Sequence, residues 1–190
     1  MRTIITNLYT FDELTAKAQD AVIQKEIENI ELGIENNAFD ITAVLDDATT
    51  IGKLFGLEID NILYSGFWSQ GDGASFTGRY QFRAAGLEAV KAYAPLDGEL
   101  HQTVIHLRRS LGQSCKDAVH ITQTGRYFHE NTMEFDTDNT VIIDGLKEYA
   151  RWIYKRLERE YEYQTSREYI IELIEGNGDE FYADGRKYND

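Results

Sequence analysis

The stretch from Glu58 to Phe82 decides the fold. It opens as Glu58-Ile-Asp-Asn-Ile-Leu-Tyr-Ser-Gly-Phe67, with Ile59, Ile62 and Tyr64 prominent, and reads as a strand. Ala74-Ser-Phe-Thr-Gly-Arg-Tyr-Gln-Phe82 reads as its partner, because Phe76, Tyr80 and Phe82 recur at the even spacing that puts side chains on one face of a strand. Between them lies Trp68-Ser-Gln-Gly-Asp-Gly73, a polar connection whose glycines permit positive φ. A hairpin of this kind predicts an antiparallel sheet.

Upstream of it, Ile41, Val44, Leu45, Ala48, Ile51, Leu54 and Phe55 give an i, i+3, i+4, i+7 stripe, and Gly56 suits the C-cap of that helix. Asn36-Asn37 punctuates the chain before it. Earlier still, Asp12 opens a helix with Leu14, Ala18, Ala21 and Val22 on one side. Its apolar phase moves to Ile27, Ile30 and Ile34 near Gln24, so it contacts two surfaces or breaks there. Thr3 to Leu8 reads as a short first strand.

Downstream, Ala84 to Tyr93 and Asp97 to Leu111 read as short helices separated at Pro95. Ala118–Gln123 and Arg126–Phe135 read as a second hairpin. If Thr124-Gly125 is a two-residue turn, His120 faces His129 across it. A long helix from Thr140 to about Tyr163 buries Ile142, Leu146, Tyr149, Ala150, Ile153 and Leu157. Ser166 opens a last helix, and the Gly176–Gly178 and Asp184-Gly185 turns allow a terminal hairpin. The whole chain, 1–190, reads as a single α+β domain: an antiparallel sheet of two central hairpins packed against about six helices.

The charge is lopsided. Acidic side chains number 33 against 19 basic, a net −14, and residues 1–64 alone hold 12 acidic and 4 basic groups. Binding nucleic acid directly through a basic surface is therefore excluded, since phosphate affinity comes from Lys and Arg. An acidic surface can instead imitate a polyanion. No window approaches the ~18 apolar residues of a membrane span. Met1-Arg2-Thr3-Ile4-Ile5 lacks the apolar core of a signal peptide, so a cytoplasmic location is expected. Cys115 is the single cysteine and reads as a spare thiol.

Several groups are candidate chemistry. Gly71-Asp72-Gly73 can present converging amides to an anion, or can be a connection in which Asp72 bonds its own backbone. It lacks the Lys-Ser/Thr of a phosphate-binding loop. Phe67 and Trp68 beside it mark a contact surface, since Trp is enriched where binding energy concentrates. The recognition loop is thus Phe67, Trp68, Ser69, Gln70, Gly71, Asp72 and Gly73. Glu26, Glu28, Glu31, Glu35, Asp46 and Asp47 form acidic helix faces, read as solvated surface before metal-binding carboxylates or a phosphate-like array. His120 and His129, with Glu130 or Asp117 nearby, fall short of a zinc site's three or four ligands. Arg151, Lys155, Arg156 and Arg159 alternate with acids on the long helix and read as a solvated face. No catalytic residue, metal or cofactor emerges.

Three segments carry a resemblance: Tyr64–Gly78, Tyr93–His101 and Arg151–Tyr163. Together they resemble a family of small acidic proteins of tailed phages and prophages, some labelled antitoxins of a toxin–antitoxin stability system. The resemblance implies a phage accessory protein. With the charge, it leads to a non-catalytic protein that binds and inhibits a host protein with a basic surface, in counter-defence or host takeover, with acidic nucleic-acid mimicry as one route. The alternative is a binder of a small anion or nucleotide, or a weak hydrolase, using residues 66–74 with His101 as the acid–base group.

Overall fold

The computed structural model describes residues 6–35, 40–109 and 118–188. They fall into two compact units, Met1–Phe39 with Tyr161–Asp190, and Asp40–Glu160. Among the described residues the fold is α+β, with six α-helices and one four-stranded antiparallel sheet of order β1-β2-β3-β4.

In the larger unit, α1 (Thr42–Phe55) ends at Gly56, whose φ of 101° is the left-handed cap expected of glycine. The chain passes directly into β1 (Leu57–Tyr64), which pairs antiparallel with β2 (Ala74–Tyr80), the register shifting by one residue between Ile59 and Asn61. Glu58 lies opposite Arg79 and their side chains form an ion pair at 2.6 Å, a cross-strand contact exposed to water. Phe76 and Tyr80 are fully buried on the other face. Then come α2 (Gly86–Tyr93), α3 (Gly98–Arg108), β3 (Val119–Gln123) and β4 (Met133–Phe135). The long helix, α4 (Thr140–Gln164), lays Ile142, Leu146, Tyr149, Trp152, Ile153 and Leu157 into the core. Tyr149 is the hub: its ring is edge-on to Phe55 at 4.9 Å and stacked on Trp152 at 5.4 Å. Its hydroxyl donates to the Ala48 carbonyl at 2.6 Å. Burial, with no water to solvate a phenolate, pushes its pKa well above the usual range.

In the smaller unit the N-terminal helix Ala16–Glu35 and α5 (Arg167–Asn177) share a cluster of Phe11, Leu14, Ala18, Val22, Ile23, Ile170, Ile174 and Phe181. Tyr9 and Phe181 exchange both backbone hydrogen bonds at 2.9 Å. Ser166 caps α5 through its side chain, and Gly178 ends it with φ 65°.

Several expectations are corrected. The helix expected from Asp12 begins at Ala16, after a 3-10 turn at Phe11–Glu13, and Ile23 is buried where Ala21 is exposed. It does not break at Gln24. The first strand reduces to the single bridge at Tyr9; Thr3 to Ile5 lie outside the described residues. So do Asn36-Asn37, Ser110 to Asp117 and hence Cys115. Thr124-Gly125 is not a two-residue turn. Thr124 N donates to Thr132 O at 3.1 Å, a 3-10 turn occupies Glu130–Thr132, and across this hairpin His120 bonds Asp136 instead of facing His129. Thr132 Oγ1 holds this wider loop by donating to the Tyr127 carbonyl at 2.9 Å, a tertiary device that turn residues alone do not announce.

Candidate functional site

The connection between β1 and β2 is closed at its base. Ser65 N donates to the Gly73 carbonyl at 3.1 Å, and Gly73 N donates to Ser65 Oγ at 3.0 Å. Inside the loop, Asp72 Oδ2 accepts from Trp68 N at 2.8 Å and from Ser69 N at 2.7 Å. Asp72 N in turn donates to Ser69 O at 3.1 Å. The amides of Asp72 and Gly73 are thus spent on Ser69 O and Ser65 Oγ, and those of Trp68 and Ser69 hold the loop's own carboxylate. Charge-assisted bonds of this kind are about twice as strong as neutral ones, which gives the loop a defined shape.

Neither Gly71 nor Gly73 uses the positive φ that glycine permits. Close approach explains Gly73 instead: a Cβ there would sit 2.9 Å from His129 Cδ2. A Cβ on Gly66 would sit 2.6 Å from the Trp68 ring. The indole is thus laid back over Gly66, and the second hairpin's connection leans on Gly73.

The two aromatic side chains take different places. Phe67 lies near-parallel to Tyr64 at 6.2 Å and to Tyr154 at 5.8 Å, forming a half-buried three-ring layer. Trp68 meets Phe67 edge-on at 6.3 Å and keeps 52% of its surface in water. The strand ends at Tyr64, so the alternation that would send neighbours to opposite faces no longer applies. Tyr154 donates its hydroxyl to Gly66 O at 3.2 Å. Burial first, then the charges of Asp72 and Glu158, push the Tyr154 phenol up to about 12, so it stays a neutral donor. Ser69, Gln70 and Gly71 are exposed at the tip.

The acidic residues are not one array. Glu26, Glu28 and Glu31 lie in the smaller unit, Asp46 and Asp47 in the larger, and the side chain of Glu35 lies outside the described residues. At about 100° per residue, Glu28 and Glu31 fall on one side of their helix and Glu26 on the other. Some are engaged: Glu31 accepts the Tyr161 hydroxyl at 3.2 Å and Asp47 accepts that of Tyr93 at 2.8 Å.

The histidines are engaged in local structure. The Nε2 of His101 lies 2.8 Å from the Ala94 carbonyl, and a carbonyl only accepts, so Nε2 carries the proton. His106 Nδ1 lies 2.9 Å from Glu148 Oε1. His129 Nδ1 lies 2.9 Å from the buried carboxylate of Glu130, which Arg151 approaches at 3.7 Å. Among the described residues no three His, Cys, Asp or Glu side chains gather as a metal centre requires. No helix is long and apolar enough to cross a membrane among them.

One constellation escaped the sequence. Asp97 caps α3 by accepting from Leu100 N at 3.0 Å, while its Oδ2 accepts from Trp152 Nε1 and Arg156 Nη2, each at 3.0 Å. Arg156 lies over the Trp152 ring at 5.0 Å. Burial opposes ionisation of Asp97, but these hydrogen bonds and the Arg156 charge outweigh it and hold the carboxyl below its ordinary range. The available signal was Asp97-Gly98 after Pro95, a helix start; nothing local linked it to a helix some 55 residues on.

No curated protein and no solved structure matches the chain. Residues 41–167, which hold the whole sheet, the Phe67–Gly73 loop and the Asp97 constellation, match a family described as a domain of unknown function, DUF8835, and the chain belongs to that family.

Proposed function

We propose that the protein is a non-catalytic binding module that docks on a partner protein through the Phe67–Gly73 loop and blocks it. The observation that supports this most is Trp68: a large aromatic, 52% exposed, on a loop tied internally by Asp72. A preformed aromatic contact loses little conformational freedom on binding, which is where affinity is otherwise lost. The net charge of −14 suits a partner with a basic surface, speeding encounter and making the complex salt-sensitive. In the setting implied by the phage-like resemblance, that partner is a host factor. The rival reading, an anion in the 66–74 loop, requires the ligand to displace Asp72 from two short hydrogen bonds, and so it is second.

The test is affinity capture from host lysate at low and high salt, with the captured protein identified and then titrated in purified form. A partner held at low salt, weakened by salt and lost with Trp68→Ala while the melting temperature hardly moves, is the expected result. Binding that survives Trp68→Ala, or no partner at either salt, would overturn the reading.

A further inference from the structure

Away from that loop, the turn between α2 and α3 meets α4 at a cleft of about 480 Å³. That lies within the roughly 300–1,000 Å³ of small-ligand sites. Pro95, Leu96 and Asp97 form one wall, and Trp152, Lys155, Arg156 and Arg159 the other. A neighbouring hollow of about 440 Å³ against α1 shares Trp152, Arg156 and Arg159. The two therefore open on the same face of the long helix.

The cations of this cleft are unequally matched. Lys155 pairs with Glu99, and Arg156 Nη2 with Asp97 Oδ2. Arg159 forms no ion pair among the described residues. The Nε of Arg156 is buried and donates to nothing. A buried N–H without an acceptor is costly, and folded proteins normally supply one. Arg159 stands three residues on, the spacing at which helical side chains are neighbours. The first turn of α3, with its positive dipole end, borders the same space. The acids that face it are Asp97 and Glu99, both paired, with Asp47 and Glu160 bordering the second hollow. Three cations against two carboxylates leave a single positive charge in the main cleft. At its mouth Leu96 is 97% exposed, beside Pro95.

We infer that this cleft binds a small organic carboxylate with an apolar arm, the carboxylate resting on Arg159 and on the part of the Arg156 side chain that is open to water, and the arm lying on Pro95 and Leu96. A singly charged, planar group matches both the one uncompensated charge and the fork of donors a guanidinium offers. A phosphate dianion matches the charge less well.

The test is a nuclear magnetic resonance titration of the full chain, observing the arginine Nε–H and tryptophan indole signals. The probes are hexanoate, its neutral counterpart hexanol, inorganic phosphate, and sodium chloride at matched ionic strength. Hexanoate should shift the Arg156 Nε–H signal saturably, while hexanol and chloride should not. Arg159→Gln, an exposed change that spares the Asp97 pair, should weaken hexanoate by roughly tenfold, and Leu96→Ser should weaken it less. Equal shifts with chloride, hexanoate affinity unchanged in Arg159→Gln, or tighter binding of phosphate than of hexanoate would each overturn the inference.

Discussion

The two tryptophans occupy opposite extremes of one fold. Trp68 lies on a loop, half in water, with its ring resting on Gly66 and the edge of Phe67. Trp152 is 3% exposed, sandwiched between Tyr149 and Arg156, with its indole N–H on Asp97. One presents an aromatic surface; the other locks a helix to a helix cap. The difference shows that an aromatic residue's role follows from how much of its surface the fold covers, not from its identity.

The sharpest way to break this comparison is truncation. Trp152→Ala should destabilise by about 3–5 kcal/mol, as for other buried aromatics. Thermal unfolding checks it, and a loss comparable to that of Trp68→Ala would erase the distinction. Asp97→Ala removes the partner instead of the ring. It should cost about 1 kcal/mol for the helix cap and about 1–3 kcal/mol for stranding the indole N–H and the Arg156 guanidinium. The contribution also has a pH signature. The folded pKa of Asp97 lies below its ordinary value of 3.8, so its stabilisation is present above that value and is lost as pH falls through the folded pKa. The gap in melting temperature between wild type and Asp97→Ala should therefore narrow in acid. A constant gap would show that ionisation is irrelevant there.

A smaller change sharpens the other side. Asp72→Ala deletes two amide hydrogen bonds at an exposed loop and should cost about 1–2 kcal/mol. Hydrogen exchange should show the Trp68 and Ser69 amides losing protection. The Tyr154 phenol, pushed up to about 12 by burial and then by Asp72, should titrate lower in the same variant. Spectrophotometric titration reads that directly. Smallest of all, Trp68→Ala should change stability by about 1 kcal/mol or less, since half its surface is already in water. Equilibrium unfolding measures it, and a loss like that of Trp152→Ala would make Trp68 a packing residue.

Much of this was legible in residue spacing. The stripe ending at Phe55-Gly56, the even spacing of Phe76 and Tyr80, and the 140–164 helix are local patterns, and each element formed where its pattern put it. Of the candidate site, the loop and its exposed Trp68 were legible because strand signals stop before a glycine-rich connection. The second hairpin was misread because Thr132 and the 3-10 turn, not Thr124-Gly125, shape its connection. The Arg151–Arg159 series read as a solvated face because alternating charges usually are one. Arg151, Lys155 and Arg159 are indeed exposed, while Arg156 is half-buried and pairs with Asp97 at the cap of another helix.

The sequence by itself determined the α+β class, the helix caps at Gly56 and Ser166, the sheet's first hairpin and the acidic excess. All of these rest on interactions among residues near one another in the chain, or on composition. Only the tertiary structure decided that Trp152 is buried while Trp68 is not, and that Arg156 Nε is left without an acceptor. Burial and hydrogen-bond satisfaction depend on which distant segment arrives to cover a side chain, and spacing along one segment carries no record of that arrival.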